Sequence, residues 1–307
     1  NTILDGEGHR ILEVYGGKSP YAMYEVEGVT IRNGWEALSI ISPGNAFYSS
    51  YRGPSGSIIL KDNIVIGNVG TDLSGGITAY SAGGTVTVDR NIISQNSNEG
   101  SVYGLVGGAW VGSRTGDIFI SNNVVTGNTE GGFRVETTSG RVDITNNTIT
   151  GNQWIGLTLQ LLSGNGQAHL YNNIIWSEEG DFIYIYNHYG CTIDAYNNDF
   201  DPSKIDTGEE YPEGESPFVH EGGNINENPL FVDVEGGDYR LSYDSPCIDA
   251  GINTAPSLPE TDIEGNPRIA GAATDIGAYE YSVSETTYTI TGHVVSEGKG
   301  LMGITVT

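Results

Sequence analysis

Arg134, Glu136, Tyr184 and His188 are the residues of this chain whose types and spacing could carry out chemistry on a common surface. They fall at alternating positions of two β-patterned segments, FRVE and IYIYNH, so we expect their side chains on one face. A base beside Ca²⁺ or an arginine suits removal of a proton next to a uronate carboxylate. Arg134 and Glu136 are two residues apart on that face, however, and we expect them to pair with each other.

A glycosidase would need two or three converging carboxylates, and Glu136 is the carboxylate available on this face. Both catalytic signatures are therefore weak. Aromatic rings beside polar groups on a long shallow face are typical of a surface that a saccharide chain contacts. The alternative is a twisted sheet with ordinary exposed residues. The predicted binding set is Tyr80, Trp110, Arg134, Glu136, Gln160, Tyr184, Tyr186 and His188.

These side chains belong to six short segments that we predict as equivalent strands. The segments are LSII (38–41), ITAY (77–80), AWVG (109–112), FRVE (133–136), LTLQ (157–160) and IYIY (183–186). Strict alternation would turn one residue set to the interior and leave the candidate residues outside. The predicted inward set is Leu38, Ile77, Ala109, Phe133, Leu157 and Ile183.

The strands recur within a longer repeat in which seven segments end in asparagine, about every 24 to 32 residues. Four of the segments continue with the same phrase, Asn-x-[Ile/Val]-x-x-Asn. A period of this length, built from β-branched alternation, predicts an all-β solenoid with three parallel strands per rung. The seven asparagines are Asn33, Asn63, Asn91, Asn123, Asn147, Asn173 and Asn198.

We expect these asparagines to form a structural ladder. Asparagine tolerates the left-handed backbone that a sharp bend between strands requires. Stacked amides can also hydrogen-bond from rung to rung. Asn146-Asn147-Thr148 matches a glycosylation acceptor, but its place in the ladder argues against modification.

The regular period ends after Asn198, and the phrases NPLFVD, GDYRLS, SPCIDAG, GNPR and DIGAYEY follow. They resemble the terminal region of secreted bacterial and archaeal right-handed β-helix repeat proteins of the pectate-lyase-like superfamily. The resemblance covers residues 29–282 and implies a right-handed solenoid finished by an irregular capping region. We place the rungs at 1–198 and the capping region at 199–282. The resemblance does not imply one activity, because such folds carry lyases, hydrolases, epimerases, binding modules and adhesins.

Residues 283–307 change character again and look like the first two strands of a small Ig-like or carboxypeptidase-regulatory-like β-sandwich. Two strands do not make an independently stable sandwich. The segment is therefore interpreted either as a truncated domain or as a hairpin donated to another surface.

The formal net charge is −26, from 13 Lys+Arg against 39 Asp+Glu. Such a surface repels nucleic acid and anionic membranes and suits an extracellular or cell-surface setting. No 18-residue apolar run is present, so we expect no membrane insertion. The chain opens in strand-like sequence without an initiator Met, which we interpret as a mature or excised fragment of a secreted precursor.

Metal ligands and cysteines give weaker signals. Carboxylates crowd the capping region without the spacing of a Ca²⁺ loop, so Asx-turns are favoured and a bound Ca²⁺ stays possible. The five histidines lack ligand spacing, which argues against zinc or copper. Cys191 and Cys247 could form one bridge, and two buried free thiols are favoured. The carboxylates are Asp244, Asp249, Asp262, Glu264, Asp275 and Glu280, and the histidines are His9, His169, His188, His220 and His293.

Three functions are left open. The favoured one is a non-catalytic extracellular module with a structural, adhesive or carbohydrate-contacting role, whose partners are polysaccharides or other surface proteins. The alternative is a polysaccharide lyase that uses Arg134, Glu136, Tyr184 and His188. The third is head-to-tail self-association through uncapped strand edges.

Overall fold

Short strands with alternating apolar residues wind into a parallel β-solenoid, whose wall is three eight-stranded sheets. A computed structural model describes most of the chain. For residues 12–15, 38–41, 187, 295–296 and 299–300 it describes the backbone and not the side chains. The described residues are 2–5, 12–15, 23–32, 38–41, 56–71, 73–100, 106–163, 166–177, 180, 182–187, 191–207, 217–282, 295–296 and 299–300.

Each rung contributes one strand to each sheet, and equivalent strands pair in parallel with their neighbours. The first sheet contains Met23–Glu27, Ser57–Lys61, Val86–Asp89, Ile118–Ser121, Arg141–Thr145, Gln167–Tyr171, Thr192–Tyr196 and His220–Gly222. The second contains Thr2–Asp5, Val29–Arg32, Ile64–Ile66, Ile92–Ser94, Val124–Thr126, Thr148–Thr150, Ile174–Trp176 and Asp199–Phe200. The third contains Leu12–Tyr15, Leu38–Ile41, Ile77–Ser81, Ala109–Ser113, Phe133–Thr137, Ile155–Leu161, Phe182–Asn187 and Ile205–Asp206.

Smaller elements flank the wall. Val69–Gly70 pairs in parallel with Ser97–Asn98, and Phe231–Asp233 pairs antiparallel with Asp238–Leu241. Pro202–Lys204 is a short 3₁₀ helix. In the predicted sandwich segment, the described residues form one small antiparallel pair, Val295–Ser296 with Lys299–Gly300.

The core is a stack of aliphatic side chains inside the coil, which no single rung could bury alone. The predicted inward set is confirmed at Ile77, Ala109, Phe133, Leu157 and Ile183, all of which are buried. The side chain of Leu38 lies outside the described part. Two-residue periodicity was sufficient for this prediction because the two faces of a strand in such a coil have different surroundings.

The predicted asparagine ladder is present at the bend between the first and second sheets. Asn91 shows the pattern: its backbone N–H and its Nδ2 both donate to Asn123 Oδ1, at 2.9 and 3.0 Å. Its Nδ2 also donates to Leu60 O at 2.9 Å, which ties the amide to the preceding rung. The same bonds link Asn63, Asn91, Asn123, Asn147, Asn173 and Asn198 in succession, whereas Asn33 lies outside the described residues.

The left-handed backbone at this bend belongs to the residue before each ladder asparagine, so the conformational half of the ladder prediction is wrong. The side-chain amide of a ladder asparagine must point inward to bond to the asparagines above and below it. The residue before it adopts the left-handed backbone that makes the sharp turn. The residues with φ between 52° and 57° are Asp62, Arg90, Asn122, Asn146, Asn172 and Asn197.

A second ladder, which was not predicted from the sequence, closes the other end of four second-sheet strands. Asn96 donates from its backbone N–H and from Nδ2 to Asn128 Oδ1, both at 3.0 Å. The ladder runs through Asn68, Asn96, Asn128 and Asn152, and these are the closing asparagines of the Asn-x-[Ile/Val]-x-x-Asn phrase. The phrase therefore encodes one short strand held by amide stacks at both ends.

Strand stacking continues beyond Asn198, where the sequence period ends. Asn224 Oδ1 accepts from the backbone N–H and Nδ2 of Asn198, at 2.9 and 3.0 Å, and extends the first ladder. Ile205–Asp206 and His220–Gly222 add strands to the third and first sheets.

The later part of the region predicted as an irregular cap lies along the flank of the solenoid. Its residues 250–261 run back over successive rungs: Asn197 Nδ2 donates to Ala250 O, and Asn122 Nδ2 donates to Thr261 O. Asn146 Nδ2 donates to Asp275 O at 2.9 Å, so residues 268–278 return along the same rungs. We call residues 249–282 the flank segment.

The flank segment and the residues just before it bury the outer face of the second sheet. Ile174 packs with Cys247 and Ile276, and Val124 packs with Tyr239 and Ala278. The covered second-sheet strands thus carry apolar residues on both faces, as parallel strands buried on both sides generally do.

Carboxylates in this region accept hydrogen bonds from the backbone. Asp262 accepts from the backbone N–H of Glu264 and Asn266, and Asp249 accepts from that of Ala272. The Asp262–Glu264 bond is that of an Asx-turn, whereas Asp249 joins two distant parts of the segment. Cys191 and Cys247 are buried thiols that are not joined in a disulfide, as favoured. Within the part of the chain that the structure describes, no helix has the length and apolar character needed to cross a bilayer.

Candidate functional site

The outer face of the third sheet presents two columns of side chains, because register is kept from rung to rung. We call this surface the third-sheet face. One column holds Thr78, Trp110, Arg134, Thr158 and Tyr184, and the other holds Tyr80, Gly112, Glu136, Gln160 and Tyr186. Every described member of the predicted binding set therefore lies on one surface, while His188 is outside the described residues.

At one end of the third-sheet face, two aromatic rings stack. The Tyr80 and Trp110 centroids are 5.4 Å apart with an interplanar angle of 20°. Tyr80 lies flat across Gly112, where an added Cβ would be 2.5 Å from Tyr80 Cδ2. Glycine at 112 is thus required for this ring position. Trp110 is 7% exposed, so little of its ring reaches solvent. Its main contact on this face is the stack with the half-buried Tyr80.

Polar side chains occupy the centre of the face. Arg134 Nη2 donates to Gln160 Oε1 at 2.9 Å, and it lies 3.5 Å from Glu136 Oε2. The predicted pairing of Arg134 with Glu136 is confirmed. All three side chains are half-buried, and they offer both donors and acceptors at the surface.

At the other end, the strand Phe182–Asn187 carries Tyr184 and Tyr186 on the outer face, both half-buried. Phe182 shares that face and is 43% exposed. Alternation could have identified Phe182, but the predicted strand began one residue later.

This arrangement suits binding better than proton transfer. Flat aromatic rings next to a hydrogen-bonded arginine, glutamate and glutamine can contact the apolar face and the hydroxyls of a sugar. The two charged candidates for catalysis, Arg134 and Glu136, are bonded to each other. For Arg134 or Glu136 to remove a proton from substrate, that ion pair would first have to open.

A second polar column, on the outer face of the first sheet, was not predicted from the sequence. Asp143, His169, Asp194 and His220 follow one another in register. His169 Nδ1 lies 2.8 Å from Asp143 Oδ1, and His220 Nδ1 lies 2.8 Å from Asp194 Oδ1. His169 and His220, which look scattered in the sequence, therefore lie in one column, two rungs apart.

This first-sheet column does not gather the ligands of a metal site. Among the residues that the structure describes, no group of three or more His, Cys, Asp or Glu side chains could hold an ion. Tyr171 and Tyr196 pack beside the column with centroids 5.4 Å apart. Burial raises the pKa of Tyr171, with a smaller contribution from Asp194.

Three parallel sheets, continuous rungs and internal amide stacks define a parallel β-helix. The family model described as right handed beta helix region matches residues 21–200, which is more than half of the chain. The chain therefore belongs to the right-handed β-helix family. A comparison with curated protein sequences gave no match.

Proposed function

We propose that this chain is a non-catalytic, extracellular or cell-surface β-helix module that contacts neutral polysaccharide through its third-sheet face. The observation that carries the proposal is the combination on one surface of half-buried tyrosines with the Arg134–Gln160 and Arg134–Glu136 contacts. Tyr80, Tyr184 and Tyr186 supply flat apolar area, and the polar group supplies directional bonds to hydroxyls.

Charge favours a neutral ligand. A protein of net charge −26 repels a polyuronate unless cations intervene. On the third-sheet face, Arg134 has its charge offset by Glu136 at 3.5 Å, which leaves little attraction for a carboxylate. A neutral glycan meets no such repulsion.

Affinity electrophoresis of the full chain through gels containing galactomannan, arabinoxylan or mixed-linkage β-glucan tests this function. We expect retention by at least one of these neutral polymers. Replacing Tyr184 and Tyr186 together by alanine should weaken retention about tenfold or more, since each stacked ring contributes on the order of 1 kcal/mol.

Tyr171 and Tyr196 are the matched control, since they are tyrosines on the outer face of the first sheet. Their double alanine variant should be retained like the wild type. Equal loss in both variants, or no retention of the wild type by any neutral polymer, contradicts the proposal.

The alternative function is a polysaccharide lyase acting at the same face through Arg134, Glu136, Tyr184 and His188. It is favoured by the presence of an arginine and a tyrosine in one column of the face, two rungs apart. Release of unsaturated uronates from polygalacturonate or alginate, abolished by Arg134→Ala, would establish the lyase and overturn the non-catalytic function.

A further inference from the structure

Trp154 is an exposed tryptophan at the corner between the second and third sheets. Its side chain is 64% exposed, and its backbone φ is 70°. A positive φ in a bulky residue is rare, because its Cβ approaches the neighbouring carbonyl oxygen. The chain thus holds a large apolar side chain in water on a strained backbone.

The strain comes from a three-residue γ-turn centred on Trp154. Ile155 N donates to Gln153 O at 3.0 Å, and the φ of Trp154 is close to the value of about +75° for such turns. Neighbouring rungs hold the turn on both sides: Gln153 N donates to Asn128 O at 2.9 Å, and Phe182 N donates to Trp154 O at 3.0 Å. These bonds fix the backbone of Trp154 and thus the direction of its Cα–Cβ bond.

Folding gives no reason for tryptophan at this position. At the corresponding corner of the preceding rung, Glu130 has a φ of 61° and is exposed. A polar residue thus makes the same bend. Backbone strain of this kind persists where surrounding structure enforces it, and it is concentrated at binding and catalytic sites.

Two further features point to the same place. The pairing between Ile155–Leu161 and Phe182–Asn187 shifts register between Ile155 and Leu157, and such irregularities re-aim side chains beside functional sites. Phe182, 43% exposed, begins the row of outward residues that continues with Tyr184 and Tyr186. With a rise of about 3.3 Å per residue, alternate rings in this row are about 6.6 Å apart.

We infer that Trp154 and Phe182 form an end subsite that binds a sugar ring of a neutral glycan, whose chain then runs along the strand Phe182–Asn187. This inference rests on the proposed function and specifies the direction of the ligand. Trp154 supplies the stacking ring, and the exposed carboxylate of Glu130 lies at the neighbouring corner to accept from hydroxyls.

Trp154→Gly separates binding from folding. Glycine adopts positive φ without strain, so the variant should melt at the same temperature as wild type or higher. Isothermal titration calorimetry with xylohexaose, mannohexaose and cellohexaose identifies the sugar that wild type binds best. For that sugar, Trp154→Gly should reduce affinity about tenfold or more, as expected for loss of a stacked ring. Trp154→Asn, which also tolerates positive φ, should lose the same affinity.

Tyr243→Ala is the matched control, because Tyr243 is 77% exposed and lies outside the third-sheet face. It should bind like wild type. If Tyr184→Ala/Tyr186→Ala weakens binding while both Trp154 variants bind normally, the end subsite is wrong and the proposed function stands. If wild type binds none of the three sugars, or if none of the variants changes affinity, the end subsite and the proposed function are both wrong.

Discussion

Asp199 is a fully buried carboxyl whose surroundings disfavour its charge. Burial raises the pKa of Asp199 from 3.8 to about 7, against the smaller opposing effects of bonds from Glu227 N at 3.1 Å and Cys247 Sγ at 3.4 Å. Burial also raises the pKa of the Cys247 thiol, so the thiol stays protonated and donates to the carboxylate.

The raised pKa of Asp199 predicts how stability changes with pH. The folded protein holds this proton more tightly than the unfolded chain, so the contribution of Asp199 is most favourable below about pH 4 and is lost as pH rises towards 7. Asp199→Asn should therefore flatten the pH dependence of the unfolding free energy between about pH 4 and 7 and stabilise the protein at about pH 8. Urea unfolding across this range measures both effects.

Asp201→Asn is the control for this prediction. Bonds from Ser203 lower the pKa of Asp201, so its effect on the pH profile has the opposite sign. Glu280, whose pKa burial raises to about 7, should leave a residual slope in the Asp199 variant. A profile for Asp199→Asn as steep as that of wild type would contradict the burial argument.

At the level of single residues, the sequence predicts which side chains face inward and which face outward. It does not predict which residues have a strained, left-handed backbone. The outward positions of Arg134 and Glu136 follow from period-two alternation. The left-handed residue one position before each ladder asparagine does not, because several residue types can make that bend. Trp154 was missed for the same reason: turns have no periodicity that would reveal a tryptophan aimed outward.

The ladders are the elements that fix the rungs to one another. Asn96 is buried, donates twice to Asn128 Oδ1, and accepts from Asn68 N and Nδ2 at 3.0 and 2.8 Å. Its Nδ2 also donates to Val65 O at 3.0 Å. One side chain thus satisfies backbone and amide groups of three successive rungs.

Asn96→Ala should destabilise the protein by about 2–4 kcal/mol, because it leaves several buried polar groups without partners. Gln95→Gly is the matched control next to it. Gln95 is exposed with a φ of 55°, and glycine already makes this bend at 67, 127 and 151. Its effect should stay within about 1 kcal/mol. Chemical denaturation of both variants measures the difference, and equal losses would rule out an energetic role for the second ladder.

The elements were the most predictable level. Period and alternation were enough for three sheets, the inward residues and the first ladder. The second ladder went unpredicted, although its asparagines stand in the repeated phrase, because a closing asparagine is equally compatible with an exposed turn. Apolar pairs such as Ile174 and Ile175 also carried unused information: one residue faces the core and the other the flank segment.

The whole molecule consists of a coil and a flank segment that is joined to it by buried polar bonds. Arg268 is 2% exposed and donates to Gly277 O at 3.1 Å, to Ala278 O at 3.0 Å and to Asn122 Oδ1. Glu280 lies 3.6 Å from its guanidinium. Burial lowers the pKa of Arg268, which stays charged among these acceptors.

Arg268→Met should loosen the flank segment, since it removes the cation beside Glu280 and the bonds that Arg268 donates to Gly277 O, Ala278 O and Asn122 Oδ1. We expect a loss of about 3–5 kcal/mol and new protease cleavage within residues 249–282. Arg240→Met is the control, because Arg240 pairs with Asp238 at an exposed site and should change little. Limited proteolysis with mass spectrometry reads out the cleavage sites. Identical digestion of both variants would contradict the attachment of the flank segment through Arg268.

The resemblance of the C-terminal phrases to β-helix proteins did not reveal where that segment packs. Gly277, in the DIGAYEY phrase, has a φ of 106° and lies so close to Ile174 that a Cβ would be 2.7 Å from its Cδ1. That contact joins residues far apart in sequence. Neither repeat period nor local pattern encodes such a contact, so the path of the flank segment along the solenoid could not be predicted from the sequence.

A crystal structure of the full chain with a bound neutral hexasaccharide would decide whether the third-sheet face is the binding surface. We expect sugar rings over Tyr184 and Tyr186 and beside Arg134 and Gln160. Sugar bound on the first-sheet face beside Tyr171, or a third-sheet face left bare at saturating ligand, would show that the binding surface has been misplaced.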